Sequence, residues 1–182
     1  MSEPALLLRD FANTLDVEPE LDELDTPVKL AEWLAGHYLV EGTSRAEPGE
    51  LAMAISLRDG LRAAMLAHHG PEPQAIPAEL EDVLAGLPVR VSLAAGAPSL
   101  VPATGGITGG LSRLATAIME TVADGTWPRL KVCQQKTCRR SFLDTSKNRS
   151  RAWCSMRVCG NRTKTRAYRA RRRLDSETGP TA

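Results

Sequence analysis

The sequence has few bulky aromatic residues and few histidines. Seven Phe, Tyr and Trp residues and three histidines occur in 182 residues, so Leu, Ala, Val and Ile must supply most of any apolar core. None of the histidines, His37, His68 and His69, lies in a metal-ligand or nucleophile pattern with another polar residue. Because no catalytic set is recognisable, we expect a protein that is not an enzyme.

The sequence also lacks the features of a secreted or membrane-spanning chain. At its start an acidic residue precedes a very short apolar run, and no small-residue cleavage site follows. The longest uncharged stretch, residues 91–112, contains two prolines and five glycines, which excludes a membrane-spanning helix there. We therefore expect a cytoplasmic protein with no membrane partner.

Positive charge is scarce in the longer, N-terminal part of the chain, and negative charge is scarce in the remainder. Residues 1–128 contain 7 Lys and Arg against 19 Asp and Glu, whereas residues 129–182 contain 16 against 3. The two parts carry net charges of −12 and +13, which add to the overall +1. Since all four cysteines fall in the second part, we predict two domains with different partners, residues 1–126 and 127–182.

The pattern of the first domain predicts helices and one hairpin. A helix start is expected at Thr26 as N-cap, with Pro27 at the first helical position. Alternating apolar residues predict a two-stranded hairpin within residues 89–101, which must pack on the helices to be stable. Apolar residues recur at helical spacing in the segments 8–15, 27–38, 48–69, 78–86 and 107–123.

An acidic run, Asp16–Asp25, contains six carboxylates in ten residues. It lacks the glycine and the twelfth-position glutamate of an EF-hand calcium loop. We therefore interpret it as a solvated acidic loop. A further hypothesis is that this run shields the basic part of the chain electrostatically.

The cysteine spacing predicts a metal site. Four residues separate Cys133 from Cys138, fifteen separate Cys138 from Cys154, and four separate Cys154 from Cys159. Two close pairs joined by a short loop suit a tetrahedral four-cysteine Zn²⁺ site. The alternatives are two disulfides, a reversible redox pair or four free thiols, and a cytoplasmic chain disfavours stable disulfides.

The second domain also has a physical need for a metal ion. Between residues 129 and 173 the large apolar side chains are too few for an independent core. Structural zinc contributes about 10–16 kcal/mol to the folding of small finger peptides, enough to oppose chain entropy and the repulsion among the cations. We expect four cysteine ligands with no open coordination position, and hence no zinc-hydrolase chemistry.

The residues around the cysteines closely resemble the CGNR zinc-finger family. The resemblance is carried by FLDTSKNRSR at residues 142–151, WCSM at 153–156, CGNRTK at 159–164 and YRAR at 168–171. DFANTL at residues 10–15 resembles, more loosely, the ABATE domain that usually precedes this finger. The resemblance implies a stress-responsive bacterial transcription regulator that holds Zn²⁺ through its four cysteines.

The residues alone predict a compatible fold for the finger. Two short strands are expected at residues 141–144 and 151–153, around a polar turn at 145–150. A helix should begin near Gly160, with Asn161 as its N-cap. Knuckle, hairpin and helix in this order are treble-clef-like. The predicted fold class is thus mainly α with a small β-hairpin, a helical N-terminal domain being followed by a treble-clef-like four-cysteine zinc finger.

The C-terminal helix concentrates positive charge, and only a narrow apolar stripe of Ala167, Ala170 and Leu174 faces the finger. Such a density of like charge is unfavourable unless an anionic partner neutralises it, and duplex DNA is the natural candidate. A merely solvated basic face is the alternative. The predicted nucleic-acid contacts are Arg149, Arg151, Arg162, Lys164, Arg166, Arg169, Arg171, Arg172 and Arg173.

Other functions remain open from the sequence. The finger could bind RNA instead of DNA, or the thiolates could release zinc on oxidation and make the protein a redox or zinc sensor. An enzyme with a ligand pocket near Asn13, Trp33 and Arg62 is a further alternative. A homodimer is compatible with the sequence, as is a small-molecule ligand of the N-terminal domain. The target site and the regulatory signal are not encoded in a recognisable pattern.

Overall fold

The computed structural model describes residues 3–70, 77–94 and 96–177, and for residues 167, 170, 171 and 173–177 it describes the main chain only. The helices predicted at residues 27–38, 48–69, 78–86 and 107–123 are present to within two residues at each end. None of the described helices combines the length and apolarity that a bilayer crossing requires. The described α-helices are α1 (Glu3–Ala12), α2 (Pro27–Gly36), α3 (Pro48–Ala67), α4 (Ala78–Ala85), α5 (Gly106–Ala123) and α6 (Asn161–Glu177).

The described strands form three separate antiparallel pairs. They are β1 (Leu15–Asp16) with β2 (Leu21–Asp22), β3 (Val89–Ser92) with β4 (Ser99–Pro102), and β5 (Leu130–Val132) with β6 (Ser141–Leu143). The second pair is the predicted hairpin, and it packs against α5 through β4. The predicted fold class, mainly helical with small strand pairs, is confirmed.

Local signals explain where two of the helices begin. Thr26 caps α2 as predicted, because its Oγ1 accepts a hydrogen bond of 3.3 Å from the Lys29 N–H. The start of α3 carries a capping box, in which the Glu47 N–H donates to the Glu50 side chain at 3.0 Å. Proline occupies an early position in both helices, where its missing N–H costs nothing.

The main core consists largely of leucines from all five N-terminal helices, as the shortage of aromatics predicts. Its buried members include Leu8, Phe11, Leu30, Leu57, Leu61, Leu80, Leu111 and Leu114.

The main core does not end with the fifth helix. Leu130 and Val132 of β5 are buried in the same apolar cluster, so it continues past residue 127, where the second domain is predicted to begin. A smaller cluster around Cys133, Phe142 and Cys159 lies within the finger. The domain boundary itself stays a prediction.

The first helix is shorter than its apolar spacing predicts. Leu15, expected on one helical face with Leu8 and Phe11, lies in β1, because α1 ends at Ala12. Thr14 closes the helix, since its Oγ1 donates a hydrogen bond of 2.8 Å to the Phe11 carbonyl. The chain then turns into the acidic run.

The predicted pairing of residues 141–144 with 151–153 is wrong. β6 pairs with β5 instead, and residues 151–153 contain no strand. The physical reason is Asp144, whose carboxylate accepts hydrogen bonds from the main-chain N–H groups of Ser146 and Arg151. These bonds close the intervening residues into a loop.

The predicted cap of the finger helix is also wrong. A π-helical turn (Met156–Gly160) precedes α6, and Asn161 has helical main-chain angles, φ −68° and ψ −40°. The capping residue is Ser155, whose Oγ accepts a hydrogen bond of 3.3 Å from the Val158 N–H. The predicted stripe of Ala167, Ala170 and Leu174 lies outside the described side chains.

Candidate metal centre and cationic cleft

Four cysteines converge beside the β5–β6 pair. Cys133 directly follows β5, and Cys138 lies in the knuckle that follows it. Cys154 precedes the π-helical turn and Cys159 lies within that turn. The four Sγ atoms all lie within 4.8 Å of one another. The two predicted cysteine pairs, Cys133 with Cys138 and Cys154 with Cys159, therefore meet at one point.

The sulfur separations fit a tetrahedral zinc ion. The Sγ atom of Cys154 lies 3.7 Å from that of Cys138 and 3.8 Å from that of Cys159. Four sulfurs placed about 2.3 Å from a tetrahedral Zn²⁺ lie about 3.8 Å apart, whereas disulfide sulfurs are only about 2.05 Å apart. Four cysteines supply a complete coordination shell for a structural zinc ion.

The thiols also need a cation for electrostatic reasons. Burial raises the pKa of Cys154, and the neighbouring Cys133 raises it further. Burial, followed by a hydrogen bond with Cys138, raises the pKa of Cys159 to about 11. Burial also acts to raise the pKa of Cys133, but main-chain hydrogen bonds from Cys154 and Gln135 outweigh it and hold this pKa below its usual value. Only a bound cation allows all four thiols to ionise together at neutral pH.

A buried ion pair anchors the loop that follows β6. Lys131 Nζ donates to Asp144 Oδ2 at 3.0 Å, and both side chains are buried. The same ammonium donates to the Arg149 carbonyl, and Arg149 has a φ of 51°, in the left-handed region. The Arg149 side chain is exposed, and its contact with nucleic acid stays a prediction.

The other predicted loop residue, Arg151, has a different environment. Its guanidinium donates to the Cys154 carbonyl at 2.7 Å and lies over the Phe142 ring, 5.2 Å from its centroid. The side chain is half-buried. These contacts direct Arg151 towards the metal centre.

The basic helix α6 forms one wall of a cationic cleft of about 830 Å³. Gln135 and Thr137 of the knuckle line it together with helix residues. Of the predicted contacts on α6, Lys164 and Arg172 are exposed outside the cleft, while the side chains of Arg171 and Arg173 lie outside the described part. The arginines that line the cleft are Arg157, Arg162, Arg166 and Arg169.

Side chains of the helical domain attach it to the finger, an arrangement that the sequence did not predict. The Asn13 side chain imitates a strand partner, since its Oδ1 accepts from the Ser141 N–H at 2.7 Å and its Nδ2 donates to the Ser141 carbonyl at 3.0 Å. Arg62 donates to the carbonyls of Ala12 at 2.6 Å and Arg139 at 3.0 Å. These two side chains, predicted as possible pocket residues, thus bond to main-chain groups of the finger, Asn13 to Ser141 and Arg62 to Arg139.

The two adjacent histidines at the end of α3 have the same role. His68 Nδ1 lies 2.7 Å from the Leu130 carbonyl, and His69 Nε2 lies 2.6 Å from the Val132 carbonyl. Burial lowers the pKa of both imidazoles, so each donates its N–H while remaining neutral. No sequence signal could have identified these contacts, because their partners are main-chain carbonyls some sixty residues away.

Trp33, the third residue considered for a pocket, lies at a second cleft of about 830 Å³ between the helical domain and the finger. Its ring stacks on His37 with centroids 3.9 Å apart, and the His37 Nδ1 atom lies 2.8 Å from the Trp33 carbonyl. Asn13 also lines this cleft, whereas Arg62 does not.

Two family models match the chain in tandem. The ABATE model, described as "Putative stress-induced transcription regulator", matches residues 6–125. The model described as the CGNR zinc finger matches residues 129–172. The chain matches no curated protein. The first range contains α2 to α5 and most of α1, and the second contains all four cysteines. The resemblance read from the sequence is confirmed.

Proposed function

Because the chain belongs to the ABATE family and carries a CGNR zinc finger, we propose that it is a transcription regulator whose finger binds duplex DNA. It acts by binding and not by catalysis, and it acts in the cytoplasm. Zn²⁺ has a structural role in this proposal. Cys133, Cys138, Cys154 and Cys159 hold the ion and so position the cationic cleft.

The observation that carries the proposal is the cationic cleft itself. Arg162, Arg166 and Arg169 project from successive turns of α6 into one recess. Guanidinium groups bind phosphate oxygens through paired N–H donors, and duplex DNA presents phosphates at close, regular spacing. Side chains of the knuckle, Gln135 and Thr137, add neutral polar groups at the opposite wall.

The zinc site explains how so basic a surface is held together. α6 starts at Asn161, two residues after Cys159, and the main-chain N–H of Gln134 donates to the Ala152 carbonyl at 3.0 Å. The metal therefore fixes the knuckle and the start of α6 relative to each other, and these are the two walls of the cleft.

The proposal predicts a steep dependence of DNA affinity on salt. We expect zinc-loaded full-length protein to neutralise about 5–7 phosphates, which gives a slope of log affinity against log salt of about −5 to −6. Fluorescence anisotropy with a labelled duplex measures this slope. Affinity that is flat between low and moderate salt would contradict DNA binding through phosphates.

A pair of matched variants tests the cleft as the site. Replacing Arg166 and Arg169 by Ala should weaken binding and reduce the magnitude of the slope by about 2, because about two phosphate contacts are lost. The control replaces Arg45 and Arg90, exposed arginines of the N-terminal domain, and removes the same charge. If both pairs weaken binding equally, net charge and not the cleft controls affinity.

Two further arms complete the experiment. Removal of zinc by a chelator should abolish binding, because the two walls of the cleft are no longer held together. Structured RNA, added as a competitor at equal salt, should displace the duplex poorly. Preferential displacement by RNA would assign the cleft to RNA instead.

A further inference from the structure

We propose that the acidic run of the N-terminal domain regulates the finger, with the Glu18 carboxylate occupying a phosphate position at the cationic cleft. This inference rests on the proposed binding of nucleic acid by that cleft. It adds a competitor within the same chain, so that DNA must displace the acidic run before it binds fully.

The contact that carries the proposal joins residues that are 144 positions apart. Arg162 Nη1 lies 2.5 Å from Glu18 Oε1, and Arg162 is one of the arginines that line the cationic cleft. A second, longer pair joins Arg140 to Asp16 at 3.9 Å. The acidic run therefore lies beside the basic surface, as the opposite net charges of the two parts favour.

Residues at the two ends of the acidic run hold its tip in this position. β1 and β2 pair on either side of the tip, and Asp22 receives two hydrogen bonds, of 2.6 and 2.9 Å, from the buried guanidinium of Arg58. The Glu23 N–H donates to the Thr14 carbonyl at 2.8 Å. Glu18 is consequently presented to Arg162 by an ordered turn.

The pair has the properties of a contact that can be displaced. The Glu18 and Arg162 side chains are 51% and 47% exposed, and exposed ion pairs contribute little to folding stability. A carboxylate and a phosphate offer the same kind of acceptor oxygens to a guanidinium. DNA can therefore take over the Arg162 donors without unfolding either part of the protein.

The test compares two neutral substitutions in the same turn. Glu18→Gln removes the competing carboxylate, whereas Glu20→Gln removes an equal charge from an exposed side chain that makes no ion pair within the described residues. We expect Glu18→Gln to tighten the binding of a labelled duplex about two- to fivefold, the range for loss of one exposed ion pair. Glu20→Gln should change affinity by about 1.5-fold or less at physiological salt, where screening is strong.

The measurement uses zinc-loaded full-length protein, and thermal denaturation checks that both variants remain folded. Equal tightening by the two substitutions, or none by Glu18→Gln, would overturn the inference and leave the proposed function intact. If neither wild type nor variants bind duplex DNA at low salt, the proposed function fails. Heparin, a second polyanion, separates these cases. If Glu18→Gln alone tightens heparin binding while no protein binds the duplex, Glu18 competes at an anion site that is not a DNA site.

Discussion

Asp144 is completely buried, and its carboxylate has four hydrogen-bond donors. Ser146 supplies its N–H at 3.0 Å and its hydroxyl at 2.6 Å, the Arg151 N–H lies at 2.9 Å, and Lys131 Nζ lies at 3.0 Å. Burial acts to raise the pKa of Asp144, but these donors outweigh it and hold the pKa at about 2. One carboxylate thus organises both β5 and the loop that carries Arg149.

Substitution of Asp144 should therefore destabilise the finger severely. Asp144→Asn leaves the buried Lys131 ammonium without its partner charge, which costs about 3–5 kcal/mol. Denaturant unfolding of zinc-loaded protein measures the loss. Asp82→Asn, at an exposed position of α4, removes the same charge and should change the free energy of unfolding by less than about 0.5 kcal/mol. A similar small effect of Asp144→Asn would contradict this account of the loop.

At the scale of whole elements, the contact between α3 and α4 depends on a missing side chain. Gly60 is buried within α3, and a Cβ atom placed there would lie 2.9 Å from Leu80 Cβ and 3.1 Å from Leu80 Cα. Both neighbours belong to the rigid start of the Leu80 side chain and main chain. The two helices can approach this closely only because residue 60 is glycine.

Two Gly→Ala substitutions in α3 should consequently have different effects on the free energy of unfolding. Gly60→Ala gains helix propensity, but forcing α4 away should cost more and give a net destabilisation of about 1–3 kcal/mol. Gly49→Ala lies in the same helix, with no atom within 4 Å of the added Cβ, and should be neutral or stabilising by up to about 1 kcal/mol. Thermal unfolding of the two variants provides the comparison. Stabilisation by both would show that α4 moves without cost.

At the scale of the whole molecule, side-chain hydrogen bonds and a shared apolar core join the helical domain to the finger. Asn13, Arg62, His68 and His69 each bond to main-chain groups of residues 130–141. Leu130 and Val132 meanwhile extend the apolar core into the finger. The two parts therefore share a core and a polar junction, and the acidic run adds a surface contact between them.

The junction should make stability depend on pH. Burial lowers the pKa of His68 and of His69 in the folded protein, so the unfolded chain binds protons first as the pH falls. The stability that the two neutral imidazoles contribute is fully present above the ordinary histidine pKa of 6.5. It is lost as the pH falls below that value. Denaturant unfolding from pH 7 to pH 5 measures this loss.

A double variant isolates the histidine contribution from that of the zinc thiolates. His68→Gln with His69→Gln retains an N–H donor at each position but cannot titrate. The free energy of unfolding of the variant should fall less steeply over the same pH range, in the same zinc-containing buffers. Parallel curves for wild type and variant would exclude a role of these histidines in the pH dependence.

The sequence alone was sufficient for the features that depend on local patterns. A chelating site built from two close cysteine pairs needs only short loops, so the spacing from Cys133 to Cys159 predicted the convergence of the four sulfurs. Helices with an apolar face, and a start signal such as Thr26, are likewise set by residues a few positions apart. The reversal of charge between the two parts was visible in the composition itself.

Only the tertiary structure decided which segments meet across long sequence separations. β6 pairs with β5 because hydrogen bonds to Asp144 hold residues 145–151 in a loop. The side chains of Asn13, His68 and His69 are able to hydrogen-bond to main-chain groups anywhere in the chain. The pairing of Glu18 with Arg162 depends on how the whole helical domain docks against the finger. Main-chain donors and acceptors are the same at every residue, so the choice among them belongs to the packed core and not to any local motif.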